Sequence, residues 1–163
     1  MYLDALEFLD EEREAWAPFE ALAGLSDEQL AVPIDGAHGW SGRQLMGHLL
    51  GWQDNAMTVA KELAVGESSA TKLGSDEEWE ARGGEAVNAE IDATWAALPI
   101  ADLRARFATV PGELRGYLTV VPESRWLKHP DNQAFFSDET TRHYEDHLDD
   151  LRAILAAAGS NEA

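Results

Sequence analysis

The segment HYEDH at residues 143–147, near the end of the chain, places two histidines four residues apart. Residues at this spacing lie one above the other on an α-helix, so both imidazoles are expected on one face. Leu151 and Ile154 continue that face, which predicts that the two histidines point inward. Neutral imidazole is a common ligand of transition metals, and two on one face form half of a metal site. Taken alone, two histidines at this spacing are more often surface or core residues than ligands of a metal ion.

Helical periodicity of the apolar residues predicts four main helices. They span residues 3–22, 42–65, 84–98 with a continuation to about 121, and 137–155, with Ser137 as the N-cap of the last helix. Pro99 is expected to break or kink the third helix, and bends are expected at Pro18 and Pro111. The segments 67–84 and 122–137 are predicted to be irregular, the first of them a long loop. No alternating strand pattern with hairpin turns competes, so the predicted fold class is all-α and the architecture a four-helix bundle.

Composition limits the possible chemistry. The chain has 163 residues and an apolar fraction of 45%, which suits one domain over residues 1–163. It contains no cysteine, so neither a disulfide nor a thiolate metal site can form. Any metal ion must therefore be held by histidine, aspartate or glutamate.

The charge limits the possible partners. The formal net charge is −19, from 31 acidic and 12 basic residues. This charge repels phosphate backbones and anionic lipids, which disfavours nucleic acid and membrane surfaces as partners. The apolar runs are shorter than a membrane span, and the first residues lack the basic and apolar regions of a secretory leader. We therefore expect a cytoplasmic protein that acts on a small molecule.

A third histidine lies on the second predicted helix, which begins with a capping box at Ser41 and Gln44. His48 shares the apolar face of Leu45 and Trp52, where an unpaired imidazole would cost about 1–3 kcal/mol. Its partner is either a backbone carbonyl or hydroxyl group, or a metal ion. Three imidazoles with one open position are typical of catalytic rather than structural metal sites. They suit zinc, nickel or iron.

Two motifs together resemble a known family. Trp40 and Ser41 open a helix that continues as LMGHLLGW at residues 45–52, and HYEDH follows about 95 residues after His48. This combination is similar to the DinB-like superfamily, first to its DfsB/ClbS-like bundles and next to the mycothiol-dependent maleylpyruvate isomerase type. The resemblance implies an up-down-down-up four-helix bundle with a divalent metal ion on three histidines. These histidines map onto His48, His143 and His147.

The resemblance also suggests an activity. Several members of the family are transferases or isomerases that use a low-molecular-weight thiol, and others act on reactive electrophiles. We therefore expect a metal-dependent enzyme that acts on a small electrophile, either with a mycothiol-type thiol or with activated water. The alternative is a binding or sequestering protein without catalysis. A homodimer is common among relatives, and Arg43, Arg125 or Arg142 could receive an anionic thiol at the mouth of the site.

Further residues are candidates for the surroundings of the site. The motif is not the HExxH of zinc proteases, because Tyr144 occupies the glutamate position. Glu139, four residues before His143, could be a fourth ligand or a hydrogen-bond partner of a ligand, or could simply complement the helix dipole. The candidate pocket residues are Trp52, Trp126, His129, Arg142 and Tyr144.

Overall fold

The computed structural model of the protein describes residue 2 and residues 4–160, and its regular structure is helical. The helices are α1 (Ala5–Trp16), α2 (Asp27–Ala31), α3 (Gly42–Val65), α4 (Ala70–Arg82), α5 (Gly84–Ala96), α6 (Ile100–Leu118), α7 (Pro130–Glu139), α8 (Thr141–Asp146) and α9 (Leu148–Ser160). Over the described residues no β-strand is present, and one isolated antiparallel bridge joins Ile34 to Trp40. The predicted all-α class is therefore confirmed. The up-down-down-up order and the single domain stay predictions.

Helix α3 is the central element, and it packs against both α5 and α6. It begins at the predicted capping box, in which the Ser41 hydroxyl accepts from the Gln44 backbone N–H and Gln44 Oε1 accepts from the Ser41 backbone N–H. Helix α5 approaches α3 closely because glycine occupies the contact. A Cβ atom on Gly51 would lie 2.1 Å from Ile91 Cγ2.

Two apolar clusters fill the interior, one along the N-terminal half of this helix and one along its C-terminal half. The first includes Trp16, Phe19, Leu45, Leu49 and Tyr144. The second includes Phe8, Leu63, Leu114, Trp126 and Phe136. Because side chains of α3 belong to both clusters, burial fixes its rotation about its own axis and thus the direction of His48.

The N-terminal helix is shorter than predicted. Helix α1 ends at Trp16, and residues Ala17–Gly24 form a 3-10 helix instead. Pro18 lacks the N–H that would continue the α-helical hydrogen bonds, which explains the change at the predicted bend. The predicted start at Leu3 lies outside the described residues.

The prediction of a long loop between residues 67 and 84 is wrong, because most of this segment forms α4. The Ser69 side chain caps the helix by accepting from the Lys72 N–H, and the Glu62 carboxylate accepts hydrogen bonds from the Ser69 and Thr71 hydroxyls. Helix α4 has no buried residue. It therefore lacks the apolar stripe on which the sequence prediction relied.

The C-terminal half of the chain also differs from the prediction. The third predicted helix and its continuation are two separate helices, α5 and α6, with the break near Pro99 where a break or kink was expected, whereas Pro111 lies inside α6 without ending it. The last helix is not continuous from Ser137. Helix α7 already begins at Pro130, and irregular backbone at Thr140 and His147 separates α7, α8 and α9.

The interruption at Thr140 has a local cause. Its hydroxyl donates to the Phe136 carbonyl oxygen at 2.5 Å, and its backbone leaves the helical region at φ −128° and ψ −96°. Threonine side chains that bond the preceding turn compete with the helical backbone and bend helices.

None of the described helices is long and apolar enough to cross a membrane.

Candidate metal centre

Three imidazoles meet between α3 and the C-terminal helices. His48 lies on α3, His143 on α8, and His147 directly after α8. The distance from His48 Nε2 to His143 Nε2 is 3.0 Å, and each pair of rings has its centroids 4.9 Å apart. One nitrogen from each ring lies within 4.8 Å of the other two. The group could therefore bind a metal ion.

Aspartates fix the orientation of two of these rings. His48 Nδ1 is 3.0 Å from Asp92 Oδ1, and His147 Nδ1 is 2.8 Å from Asp150 Oδ2. A carboxylate accepts the Nδ1 proton of a neutral imidazole, which leaves the Nε2 lone pair free for a metal ion. The other oxygen of Asp150 lies 3.6 Å from His38 Nε2 on the surface.

The sequence pattern did not reveal Asp92 and Asp150 as partners of the histidines. Asp150 follows His147 by three residues, a spacing that brings side chains together on a helix and could have indicated the contact. Asp92 lies on α5 and is 44 residues from His48, so only the packing of α5 against α3 brings the two together.

The imidazoles of the C-terminal segment are kept neutral. Burial, together with the His48 and His147 imidazoles, lowers the pKa of His143 from its ordinary 6.5 to about 2. Burial also lowers the pKa of His147, although Asp150 acts in the opposite direction. Only a neutral imidazole can bind a metal ion, so the site is ready to do so near pH 7.

The donor set fits a borderline divalent ion. Two nitrogens about 2.1 Å from one ion and at about a right angle are about 3.0 Å apart, as His48 Nε2 and His143 Nε2 are. Zinc, nickel and iron all accept imidazole nitrogen. Glu139 is not part of the ligand cluster, although it lines the neighbouring cavity with His143.

Trp40 covers one side of the centre. Its ring stacks on His147 with centroids 5.4 Å apart and an interplanar angle of 22°, and it lies 4.8 Å from the His48 ring. The bridge between Ile34 and Trp40 holds the tryptophan there. In the sequence, Trp40 was part of the motif that opens the second predicted helix and was not assigned to the metal centre.

A cavity of about 580 Å³ lies on another side of His143. Aromatic side chains from three helices line it, namely Trp52, Trp79 and Phe135. The indole N–H of Trp52 donates to Asn88 Oδ1 at 3.1 Å. Five acidic residues also contribute to the wall, namely Asp76, Asp131, Asp138, Glu139 and Asp146.

Four predicted pocket residues lie elsewhere, which corrects the sequence interpretation. Trp126 is fully buried and packs edge-to-face on the rings of Phe8 and Phe136. His129 is exposed and caps α7. Arg142 points to the surface and pairs with Asp138. Tyr144 belongs to the core.

Tyr144 instead anchors α8 to the core through a buried hydrogen-bond network. Its hydroxyl donates to Glu12 Oε1 at 3.0 Å and accepts from Gln53 Nε2 at 2.7 Å. Glu12 also accepts from Arg115 at 2.7 Å, while burial raises the pKa of this carboxyl group. The network connects α1, α3, α6 and α8, so it fixes the helix that carries His143 relative to the helix that carries His48.

The expected arginines do not reach the cavity. Arg43 donates to the carbonyl oxygens of Ala96 and Leu98. Arg125 donates to the Leu63 carbonyl and to Glu67. Lys72 is the cationic side chain among the described residues that line the cavity.

These features define a class: an all-helical protein in which three converging histidines, two of them held by aspartates, form a candidate metal centre beside a cavity. Residues 4–154 match the family model of the DinB superfamily. The chain therefore belongs to the DinB superfamily. No curated protein and no solved structure matches it.

Proposed function

We propose that this protein is a metal-dependent enzyme that acts on a small electrophilic molecule, with a low-molecular-weight thiol or water as the nucleophile. The observation that carries the proposal is the convergence of His48, His143 and His147 at the edge of a cavity of about 580 Å³. Cavities of about this size hold small molecules. The DfsB/ClbS-like or mycothiol-dependent subgroup, the cytoplasmic location and the homodimer remain predictions.

The residues around the centre have distinct roles in this proposal. The three histidines would hold the metal ion, which would supply Lewis acidity and would lower the pKa of a bound thiol or water. Asp92 and Asp150 keep two of the rings oriented. Trp40 excludes water from one side, and the aromatic cavity wall receives the apolar part of the electrophile.

Glu139 is the proposed proton carrier. Its carboxyl group lines the same cavity as His143, and burial with the nearby charges of Asp138 and Asp76 raises its pKa well above the ordinary value. A carboxylate with a raised pKa is a stronger base, so Glu139 can accept the proton that the nucleophile loses and return it to the product.

The nucleophile must come from solution. The chain has no cysteine, so any thiol is a cofactor such as mycothiol. The cavity wall carries five carboxylates and one lysine, which disfavours a strongly anionic thiol. A weakly charged thiol or water fits this wall better.

The second candidate function is binding without catalysis. Of the three histidines, His143 lines the cavity, whereas His48 and His147 lie against Trp40. Limited access of this kind favours a protein that sequesters a small molecule in the cavity, with the metal ion in a stabilising role.

Elemental analysis of protein purified without a histidine tag tests the centre. We expect nearly one equivalent of a divalent metal in the wild type and its loss in His48→Ala, His143→Ala and His147→Ala. His129→Asn is the matched control, because it removes an exposed imidazole and keeps a residue that can cap α7. Absence of metal from the wild type after dialysis against zinc, nickel and iron(II) would contradict the proposal.

Turnover separates the enzyme from the binder. A panel of electrophiles is incubated with metal-loaded protein, with and without thiol, and Glu139→Gln is compared with wild type. If the protein is an enzyme, turnover should require the metal ion and should fall at least tenfold in Glu139→Gln. Metal that raises the melting temperature without any turnover supports the binding protein instead.

A further inference from the structure

The cavity beside the candidate metal centre combines two features that recognise cations. Three aromatic rings, those of Trp52, Trp79 and Phe135, form part of its wall. Trp52 meets Trp79 edge-to-face with centroids 5.9 Å apart, and Trp79 is 48% exposed. An exposed indole face attracts a cation through the quadrupole of its ring, and tryptophan does so best.

The other part of the wall is negatively charged and incompletely neutralised. Asp76 pairs with Lys72 and Asp138 pairs with Arg142. Glu139 is half-buried at this wall, and among the described residues its carboxyl group makes no hydrogen bond or ion pair. Because a partly desolvated carboxylate without a partner is unfavourable, a cation that enters the cavity would supply the missing partner.

The chain's own ammonium group shows that this wall accepts such a cation. Lys72 Nζ is 2.8 Å from Asp76 Oδ2 and 5.8 Å from the centroid of the Phe135 ring. A carboxylate and an aromatic ring of the cavity therefore already surround one alkylammonium ion. The same cavity wall also contains an indole ring, that of Trp79, and a carboxyl group, that of Glu139.

We propose that the small molecule bound in this cavity is an organic cation, with a protonated amine or quaternary ammonium group joined to an apolar body. The carboxylates of Asp131 and Glu139 and the ring of Trp79 bind the charged group, while Trp52 and Phe135 contact the body. This proposal deepens the proposed function by naming its substrate class, but binding of the cation does not itself require the metal ion.

Three ligands of similar shape and different charge test the proposal: benzylamine, benzyl alcohol and benzoate. Their affinities for the full chain are measured at pH 7 and low salt, in the presence of a chelator, by titration calorimetry and by the NMR shifts of the tryptophan indole groups. We expect benzylamine to bind about tenfold more tightly than benzyl alcohol and benzoate most weakly. Added salt weakens only the binding of benzylamine.

Variants assign the effect to the cavity. Asp131→Asn and Glu139→Gln should each weaken benzylamine binding about three- to tenfold and leave benzyl alcohol unchanged. Glu113→Gln is the matched control, since it removes one charge from an exposed position of α6 outside the cavity. Trp79→Leu should weaken the binding of the amine, and Trp79→Phe should restore most of it.

Several results would overturn the proposal. These are equal binding of the amine and the alcohol, tighter binding of benzoate, and equal losses in Glu139→Gln and Glu113→Gln. Displacement of benzylamine by millimolar Mg²⁺ would indicate that the carboxylates hold a hydrated metal ion instead. Metal analysis of the three histidine variants is independent of these results, so failure of the cation site and failure of the metal centre are distinguished.

Discussion

The three imidazoles of the candidate metal centre are not held in the same way. His48 and His147 each have a carboxylate on Nδ1, whereas His143 contacts the other rings and has no carboxylate partner among the described residues. The two held rings present Nε2 before any metal binds, which lowers the entropic cost of forming the site. His143, the ring that lines the cavity, depends on the position of α8.

Loss of either carboxylate should therefore weaken metal binding without removing a ligand. We expect Asp92→Asn and Asp150→Asn each to lower the affinity for zinc by about 10- to 100-fold, because asparagine keeps the shape but loses the charge that polarises the imidazole. Competition with a chromophoric chelator measures the affinity. Asp149→Asn, next to Asp150 but on the surface, is the control and should bind zinc like the wild type.

The lowered pKa of His143 predicts how the stability of the metal-free protein depends on pH. In the unfolded chain this histidine binds a proton below pH 6.5, whereas in the folded protein it stays neutral down to about 2. Unfolding thus takes up a proton in this range, so acid lowers the free energy of unfolding by about 1.4 kcal/mol per pH unit well below pH 6.5. His147, whose pKa is also lowered, adds to the effect.

Guanidinium unfolding in the presence of a chelator at pH 5.5 and 4.5 measures this slope. We expect His143→Gln to remove about 1.4 kcal/mol per pH unit from it, because glutamine does not titrate. His129→Gln changes an exposed histidine and should keep the slope of the wild type. Identical slopes in all three proteins would show that His143 is protonated in the folded state.

At the level of elements, α3 and α4 differ in how much of their stability the sequence reveals. Helix α3 has an apolar face and a capping box, and both are visible in the sequence. Helix α4 has a cap and the pairs Lys72–Asp76 and Glu78–Arg82, but no buried residue, so the period of apolar residues could not reveal it.

The same limit applies to the last helix. Its apolar period continues through Thr140 and His147, so the sequence predicted one continuous helix. The interruption at Thr140 depends on the hydrogen bond from its hydroxyl to the Phe136 carbonyl oxygen. The pattern of apolar residues contains no information about this hydrogen bond. Likewise, the three histidines could be nominated from spacing and resemblance, whereas Asp92 and the acidic cavity depend on how α5, α4 and α7 pack.

The close approach of α5 to α3 leads to a prediction at this scale. Gly51→Ala would place a methyl group 2.1 Å from Ile91 Cγ2 and about 3 Å from Trp95, so α5 must move. We expect a loss of about 1–3 kcal/mol of unfolding free energy. Metal affinity should also fall, because α5 carries the Asp92 that holds His48.

Gly112→Ala is the matched control within α6, because an added Cβ there meets nothing within 4 Å. Alanine is favoured over glycine in a helix, so this variant should gain about 0.5–1 kcal/mol and bind metal normally. Guanidinium unfolding and zinc titration of both variants provide the measurements. If Gly51→Ala leaves the free energy of unfolding unchanged, α5 can move away from α3 without loss of stability, which would contradict the prediction.

For the whole molecule, two kinds of metal binding must be separated. The net charge of −19 attracts any divalent cation to the surface, and the attracted cations reduce the repulsion between carboxylates in the folded state. The histidine cluster instead joins α3 to the segment around α8, which lie about 95 residues apart in sequence. This site forms only in the folded protein, so an ion bound there stabilises that state in proportion to its affinity.

Thermal unfolding with Zn²⁺ and with Mg²⁺ separates the two effects. At a hundredfold excess over its Kd, zinc should add about 2.7 kcal/mol, which for a chain of this size raises the melting temperature by about 5–11 °C. Mg²⁺ prefers oxygen ligands and should give only the smaller surface effect, equal in wild type and His48→Ala. His48→Ala removes one imidazole and leaves all acidic side chains in place, so the extra shift with zinc must disappear in this variant if the imidazoles bind the ion. An equal shift with zinc in both proteins would assign the binding to the acidic surface and leave His48, His143 and His147 without a metal ion.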